Sequence, residues 1–401
     1  MGLNDTPSSE RVHIGIFGMR NAGKSSLLNA IAGQPLAVVS ETAGTTTDPV
    51  RKSMELLPVG PVLLIDTPGI DDAGELGEKR VEKARQVLRQ TDAAVLVVDS
   101  RLGKSAHDLE LLRAFDSAGV PHVTAFSKCD LLEDRPGIAK DEIFVSAETG
   151  ENIEALKERI AAAVRTEGEK LRIVGDLLHP ADFAVLVVPI DASAPKGRLI
   201  LPQQQTIRDI LEADAAAVVV KEFELRETLE SLGKRPALVI TDSQVFAKVS
   251  ADTPPDMPLT SFSILMARYK GLLDASVRGV LELDMISDGD KILIAEGCTH
   301  HRQCDDIGTV KLPRWIRQHT GKKPEFEFTS GGGFPDDLSP YSLIVHCGGC
   351  MINGREMKYR QREAASQGVP ITNFGVLIAH MQGILKRCVS IFPHLSAEFE
   401  E

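Results

Sequence analysis

The 401-residue sequence has few aromatic side chains, 4% in all, with one Trp and three Tyr. It has no excess of positive charge: 45 Lys and Arg stand against 57 Asp and Glu, a formal net charge of -12. A nucleic-acid surface draws on clustered cations, and single-strand RNA readers add aromatic stacking positions. Both are scarce, so no nucleic-acid partner is expected. No apolar run reaches the length of a bilayer span, and the first ten residues are polar without an apolar centre. No membrane association and no leader are expected, and the cytoplasm is the expected location. Disulfides are rare there, so the six cysteines are expected as free thiols or metal ligands. The rest of the composition, 43% hydrophobic and 25% charged, is that of an ordinary soluble chain long enough for two or three domains.

What the chain has is strand–helix alternation with chemistry at the strand ends. Residues 12–17 are β-branched and apolar, hence a buried strand. Gly18-Met19-Arg20-Asn21-Ala22-Gly23-Lys24-Ser25 follows at once, and a helix is predicted over 25–32. This is the G-x-x-x-x-G-K-S phosphate loop in the context it requires. Gly18 and Gly23 let backbone N–H groups close on the β-phosphate, and the helix N-terminus, with Ser26 in its first turn, adds partial positive charge. Lys24 reaches the β- and γ-oxygens, and the Ser25 hydroxyl ligates Mg2+.

Later motifs turn this into a GTP site. A second strand, 62–65, ends in Asp66-Thr67-Pro68-Gly69. There Asp66 can hold Mg2+ through water, and the Gly69 N–H can sense the γ-phosphate. Strands at 94–99 and 122–127 follow, and the second ends in Ser127-Lys128-Cys129-Asp130. That is the guanine-reading N-K-x-D pattern with Ser in place of Asn. Asp130 accepts from guanine N1 and N2, a pairing adenine lacks. Ser146-Ala147 matches the last guanine-side motif. Asn in the first of these motifs ties the base loop to the phosphate loop, so Ser127 is expected to weaken guanine affinity while Asp130 keeps specificity.

Gly44-Thr45-Thr46-Thr47-Asp48 resembles the first switch of the Era/TrmE-like GTPases, which makes Thr46 the Mg2+ ligand released on hydrolysis. Ile70 stands where Ras-like enzymes place a water-orienting Gln, so slow intrinsic hydrolysis is expected. Asn21 resembles its counterpart in the potassium-dependent members of the Era/TrmE-like group, where that Asn holds a K+ beside the phosphates. The alternative for Asn21 is a turn residue bonded to its own backbone.

After a helix near 153–164 and a charged linker, a second alternation runs from 183 to 249 without a cysteine. It predicts a small parallel α/β domain. Asp191 and Pro195-Lys196-Gly197-Arg198 follow its first strand and read as a solvated loop. An apolar domain with no chemical cluster suits self-association, and a homodimer is expected. The proline-rich stretch 252–258 reads as a boundary or edge connection.

The third part carries the metal constellation. Predicted strands at 291–295 and 341–345 lead into Cys298-Thr299-His300 and His346-Cys347-Gly348-Gly349-Cys350. Side by side, two such strands would gather three thiols and two imidazoles in one crevice at their carboxyl ends. Grouped thiolates suit zinc or an iron–sulfur cluster. A zinc knot of Cys298, His300, Cys347 and Cys350 is one reading. His301 reads as solvent-facing or outer-sphere, and Cys304 as a helix-entry thiol or spare ligand. Cys129 and Cys388 read as structural thiols.

An Era/TrmE-like GTPase, a middle α/β domain and then C-x-H…H-C-x-x-C resembles the HydF family, GTPase scaffolds of FeFe-hydrogenase maturation. The resemblance spans nearly the whole chain. It implies an α/β protein of three domains: a P-loop GTPase domain over 1–168 with a mostly parallel sheet, a parallel α/β dimerisation domain over 169–259, and an α/β iron–sulfur domain over 260–401. It implies that Cys298, Cys347 and Cys350 hold a four-iron–four-sulfur (4Fe-4S) cluster, with His300 and His346 at the open iron or just outside it. It also implies a carrier that receives a two-iron precursor with CO and CN- from radical-SAM maturases and passes it to apo FeFe-hydrogenase. The competing readings are an RNA- or ribosome-associated GTPase with a zinc-binding tail and a redox protein gated by GTP.

Overall fold

The computed structural model describes residues 6–33, 50–68, 75–164, 172–190, 199–297 and 306–396. The chain forms two compact units, 1–169 and 170–401.

The first unit is built on strands β1 (Val12–Phe17), β2 (Val50–Leu56), β3 (Gly60–Asp66), β4 (Ala93–Asp99), β5 (His122–Ser127) and β6 (Glu142–Phe144). Helices α1 (Lys24–Ala32), α2 (Glu75–Arg89), α3 (Ala106–Ser117) and α4 (Ile153–Val164) connect or follow them. The sheet order is β2-β3-β1-β4-β5-β6, parallel except for the antiparallel edge strand β2. Apolar runs make the central strands: every residue of β4 is buried, as expected of a strand covered on both faces. Two separate cores lie on the two sides, one around Leu27, Leu28 and Ile160 and one around Phe17, Val87 and Phe115. Strand β2 has no place in the sequence reading. Its Arg51, Ser53 and Glu55 are exposed and alternate with half-buried residues, which is the polar pattern of an edge strand.

The second unit holds two wholly parallel four-stranded sheets. The first contains β7 (Phe183–Val187), β8 (Ala216–Val220), β9 (Leu238–Thr241) and β10 (Leu259–Ser261), ordered β10-β9-β7-β8, with helices α5 (Leu201–Glu212), α6 (Leu225–Ser231) and α7 (Phe246–Asp252). Helices α8 (Phe262–Tyr269) and α9 (Leu273–Gly279) lead on to β11 (Lys291–Glu296), α10 (Leu312–Thr320), β12 (Glu325–Ser330), β13 (Leu343–His346), α11 (Gly354–Ser366), β14 (Ile371–Asn373), α12 (Phe374–Met381) and α13 (Leu385–Val389). This last sheet is ordered β12-β11-β13-β14.

One continuous core runs from Leu186 and Ile240 through Leu265 and Leu377 to Ile294 and Val345. The prolines at 254, 255 and 258 lie within this compact unit. They shape the connection from α7 to β10, which pairs with β9 through Thr260↔Ile240, so the middle sheet continues past the break read at 259/260. Strand β12 reads Glu-Phe-Glu-Phe, with Glu325 and Glu327 exposed and Phe326 and Phe328 packed on the core. It is a one-sided edge strand that the sequence reading leaves unassigned.

Candidate nucleotide and cluster sites

The phosphate loop leaves β1 at Gly18, where φ is +141 and a Cβ would lie 2.2 Å from the Val97 carbonyl oxygen. Only glycine passes there. Gly23, at φ 92, opens α1. Lys24 Nζ donates to the carbonyl oxygens of Gly18 at 2.9 Å and Met19 at 2.7 Å, so the ammonium lies inside the loop. Ser25 Oγ donates to Asp66 Oδ2 at 2.7 Å, and the buried Asp66 Oδ1 has no hydrogen-bond partner among the described residues. Burial pushes the Asp66 carboxyl above its usual value, against the Ser25 hydrogen bond and the Lys24 charge. A buried orphan carboxylate oxygen beside a serine hydroxyl is the donor set that Mg2+ would complete. Ser26 is half-buried in the first turn of α1. Thr67 Oγ1 donates to Ile16 O at 2.7 Å and pins the exit of β3 beside β1.

On the base side, the Ser127 hydroxyl donates to the Ala22 carbonyl, with Val98 O at 3.1 Å as a second acceptor. A tie between base loop and phosphate loop is therefore present with Ser in the place of Asn. Ser127→Ala removes it. The expected result is guanine nucleotide bound about five- to tenfold more weakly, for the loss of roughly 1 kcal/mol, as isothermal titration with GDP would show.

Lys128, in the left-handed region at φ 58, extends Nζ to Asn21 O at 2.6 Å and Asp99 Oδ2 at 2.8 Å. Asp99 is absent from the sequence reading. It ends β4 and holds Lys128 on one side and Arg101 on the other, with Arg101 Nη2 at 2.7 Å. Arg101 foremost, and then Lys128, keep its carboxyl well below the usual carboxylate range. The available signal was position: an acid at the end of a fully buried strand. Asp130 is exposed at the same loop, Asn21 is exposed at the loop opposite, Ser146 is buried and Ala147 half-buried. Ser146 Oγ accepts from the Thr149 N–H at 3.1 Å. Cys129 is buried against Glu151, at 3.6 Å.

In the second unit, β11 and β13 lie side by side as expected, with Ala295 opposite His346. Cys347 N donates to Ala295 O at 2.9 Å. Cys347 Sγ accepts two backbone N–H bonds, from Gly297 at 3.0 Å and Gly349 at 3.4 Å. Gly349 sits at φ +65, and a Cβ there would meet Met357 Cε at 2.4 Å, so the Cys347–Cys350 turn needs this glycine. Asn353 then caps α11, its side chain accepting from the Glu356 N–H at 3.1 Å. Burial pushes both thiols up, Cys350 to about 11. Two sulfurs in one glycine turn, one of them already receiving amide N–H groups, match the donor set of a soft metal or iron–sulfur centre.

His346 is fully buried and points into the protein. Its Nδ1 donates to Cys347 O at 2.7 Å, and its Nε2 accepts from Arg360 Nη1 at 2.9 Å. Burial first, and Arg360 second, lower its pKa to about 3, so the ring is neutral with both nitrogens engaged. Arg360 is itself buried. It donates to Glu356 Oε1 at 2.9 Å and to Gly331 O, and lies over the Phe334 ring at 5.0 Å. It fastens α11, the end of β13 and the glycine-rich loop after β12 behind the cysteines. Cys388 is a buried thiol pushed to about 12.

Thr46, Gly69, Ile70, Cys298, His300, His301 and Cys304 lie outside the described residues, as do Asp191 and the loop through Arg198. Gly297, which precedes Cys298, is described, and it donates to the Cys347 sulfur.

Three family models match along the chain. The model described as 50S ribosome-binding GTPase matches 13–128, the hydrogen maturase F dimerization domain matches 173–271, and the hydrogen maturase F tetramerization domain matches 274–391. Curated relatives include the tRNA modification GTPase MnmE of Chromobacterium violaceum, 36% identical over 164 residues, which are 40% of this chain and 36% of that protein. MnmE of Xanthomonas euvesicatoria is 37% identical over 159 residues, 39% of this chain and 35% of that protein. The chain thus spans about a third of the length of the curated relatives it matches. Among solved structures, an Aquifex aeolicus Era variant bound to GDP and aluminium fluoride is 21% identical, covering 55% of this chain and 98% of that one, with a TM-score of 0.34. The G domain of T. maritima FeoB is 25% identical over 38% of this chain and 99% of that one, with a TM-score of 0.30.

Proposed function

Because the chain belongs to the hydrogen maturase F family, we propose that it is a GTP-hydrolysing scaffold that holds a 4Fe-4S cluster and carries a two-iron precursor for FeFe-hydrogenase assembly. The observation that carries this reading is the convergence of β11 and β13 on the Cys347 sulfur, with two amide N–H groups aimed at it. Cys298, Cys347 and Cys350 would hold the cluster. Three thiolates leave one iron without a cysteine, the vacancy a carrier needs and an electron-transfer cluster does not. His300 is the candidate for that position. His346, with both nitrogens engaged, instead holds the loop from behind.

The cargo is the substrate here, delivered by radical-SAM maturases and passed to apo-hydrogenase. Anaerobic reconstitution followed by iron, sulfide and spectroscopic assay tests the cluster. Activation of apo-hydrogenase by the loaded protein tests the carrier. Zinc on the cysteines with no sulfide would replace this reading by the zinc-tailed GTPase.

In the GTPase domain, Lys24 and the phosphate-loop amides bind the β- and γ-phosphates, while Ser25 and Asp66 position the metal, with Thr46 and Gly69 closing the γ-phosphate side. Mg2+, when bound, supplies the charge that offsets the build-up on the phosphoryl oxygens. Asn21, exposed in the loop, is the residue assigned to K+ in this reading. GTP turnover is expected to be about tenfold or more faster in K+ than in Na+, and that preference should vanish in Asn21→Ala. Equal rates in the two salts for the unsubstituted protein would remove K+ from the site.

Strand β8 supports self-association. Among the described residues Ala216–Val220 is the outer strand of its sheet, half-buried at most positions, with Val219 exposed. A largely apolar pocket lined by Val188, Ile190, Leu199, Val219 and Val220, with Lys221 and Glu224 also on its wall, flanks it. Edges of this kind pair with another chain unless blocked. Val219→Lys in the full chain is expected to lower the mass by light scattering about twofold at tens of micromolar; an unchanged mass would move the interface elsewhere.

A further inference from the structure

Three side chains that the cysteine site does not use meet at the other end of the strands of the last sheet. Asp284, in the 3-10 helix Val280–Met285, places Oδ1 2.9 Å from His319 Nε2 and Oδ2 2.9 Å from His380 Nε2. One donor atom from each residue lies within 4.8 Å of the other two. The rings meet edge-on, with centroids 5.7 Å apart. The three come from separate elements anchored in the core by Leu283, Ile316 and Ile378, so the cluster does not depend on a single loop.

Topology places it away from the cysteines. Asp284 precedes β11, and His319 precedes β12, which runs parallel to β11. Helix α12 starts where β14 ends and runs back over eight residues, with His380 in its last turn. All three therefore lie at the amino edge of a sheet whose carboxyl edge carries Cys347. Six residues of β11 put about 20 Å between the two edges.

We propose that Asp284, His319 and His380 form a second metal site, taking a divalent first-row transition ion such as Zn2+. Two imidazoles and one carboxylate suit Zn2+ and Fe2+, whereas soft cluster iron calls for thiolate. Helices α10 and α12 both end at the site, so their negative dipole ends face the ion. Tetrahedral ligands on bonds of about 2.0–2.2 Å lie about 3.3–3.6 Å apart, so the 2.9 Å between each nitrogen and its oxygen widens by about 0.5 Å when an ion replaces the hydrogen bonds. Binding breaks the two N–H···O hydrogen bonds: each neutral imidazole passes its Nε2 proton through solvent to Nδ1 and turns the freed Nε2 lone pair to the ion. Asp284 keeps half its side-chain surface exposed, which leaves coordination positions open to water. The ion would clamp the ends of two helices to the 3-10 helix.

The test uses cluster-free full-length protein, unsubstituted and as the His319→Gln/His380→Gln double variant. Equilibrium dialysis against Zn2+ is expected to show one ion fewer in the variant. Zn2+ at about a hundredfold over its Kd should raise the thermal midpoint of the unsubstituted chain by roughly 5–10 °C more than that of the variant. With Co2+, d–d bands without thiolate charge transfer should be lost in the variant, while the cysteine-derived charge transfer stays. Should the double variant fail to fold, Asp284→Asn replaces it in the same assays. Equal stoichiometry and equal thermal shifts would overturn the proposal and leave a hydrogen-bonded His–Asp–His bridge.

Discussion

Cys347→Ser is expected to lose at least tenfold in retained iron and sulfide after anaerobic reconstitution, and Cys350→Ser to behave alike. The physical reason lies in the supply of ligands. Outer-sphere partners of a metal already account for 10–100-fold in affinity, and a lost thiolate removes a bond to iron itself. Cys347 is also the sulfur that the fold has prepared: the Gly297 and Gly349 N–H groups lie 3.0 and 3.4 Å from it. Both favour the thiolate, against a burial that raises the free thiol. A serine oxygen there is a poorer ligand for cluster iron. GTP turnover should persist in both variants, because the nucleotide site rests on its own cores around Leu27 and Phe115. Full iron with an unchanged electron paramagnetic resonance spectrum in Cys347→Ser would mean the ligand set is misassigned.

The phosphate loop and the cysteine turn were readable in the sequence because their chemistry is local. Each needs fixed residue types at fixed spacing directly after an apolar strand; β1 formed over the expected residues, and β13 starts two residues later than expected and takes in His346. What escaped depends on partners distant in sequence. The sequence leaves His346 at the open iron or just outside it, and does not show that Arg360, fourteen positions later, holds its Nε2. Ser127 reads as a lost contact, yet its hydroxyl reaches Ala22 across 105 positions. Asp99 is one acid among many until Lys128 and Arg101 close on it. The strands that escaped, β2, β10 and β12, are all edge strands. They are short or polar on one side, so hydrophobic periodicity signals them weakly. The break read at 259/260 had a similar cause. Prolines at 254, 255 and 258 signal a turn, and β10, which follows them, still pairs with β9.

Asp66→Asn and Lys24→Ala are each expected to lower GTP turnover by about 10^2- to 10^3-fold, the usual cost of removing one preorganised charge from a transition state. Asp66→Asn is the more discriminating of the two. Its shape is kept, and an amide oxygen can still accept from Ser25 Oγ, which now bonds Oδ2 at 2.7 Å. What is lost is the negative charge facing the metal and the orphan oxygen Oδ1. Turnover should therefore fall while more Mg2+ is needed for half-maximal rate, and GDP affinity without Mg2+ should barely change. Lys24→Ala differs because its ammonium also holds the carbonyls of Gly18 and Met19. It should weaken nucleotide binding as well as turnover. Phosphate release at varied Mg2+ and titration with GDP separate the two patterns. If Asp66→Asn kept its rate and its Mg2+ dependence, Asp66 would not be the residue that positions the metal, and the loop after β3 would have to supply another.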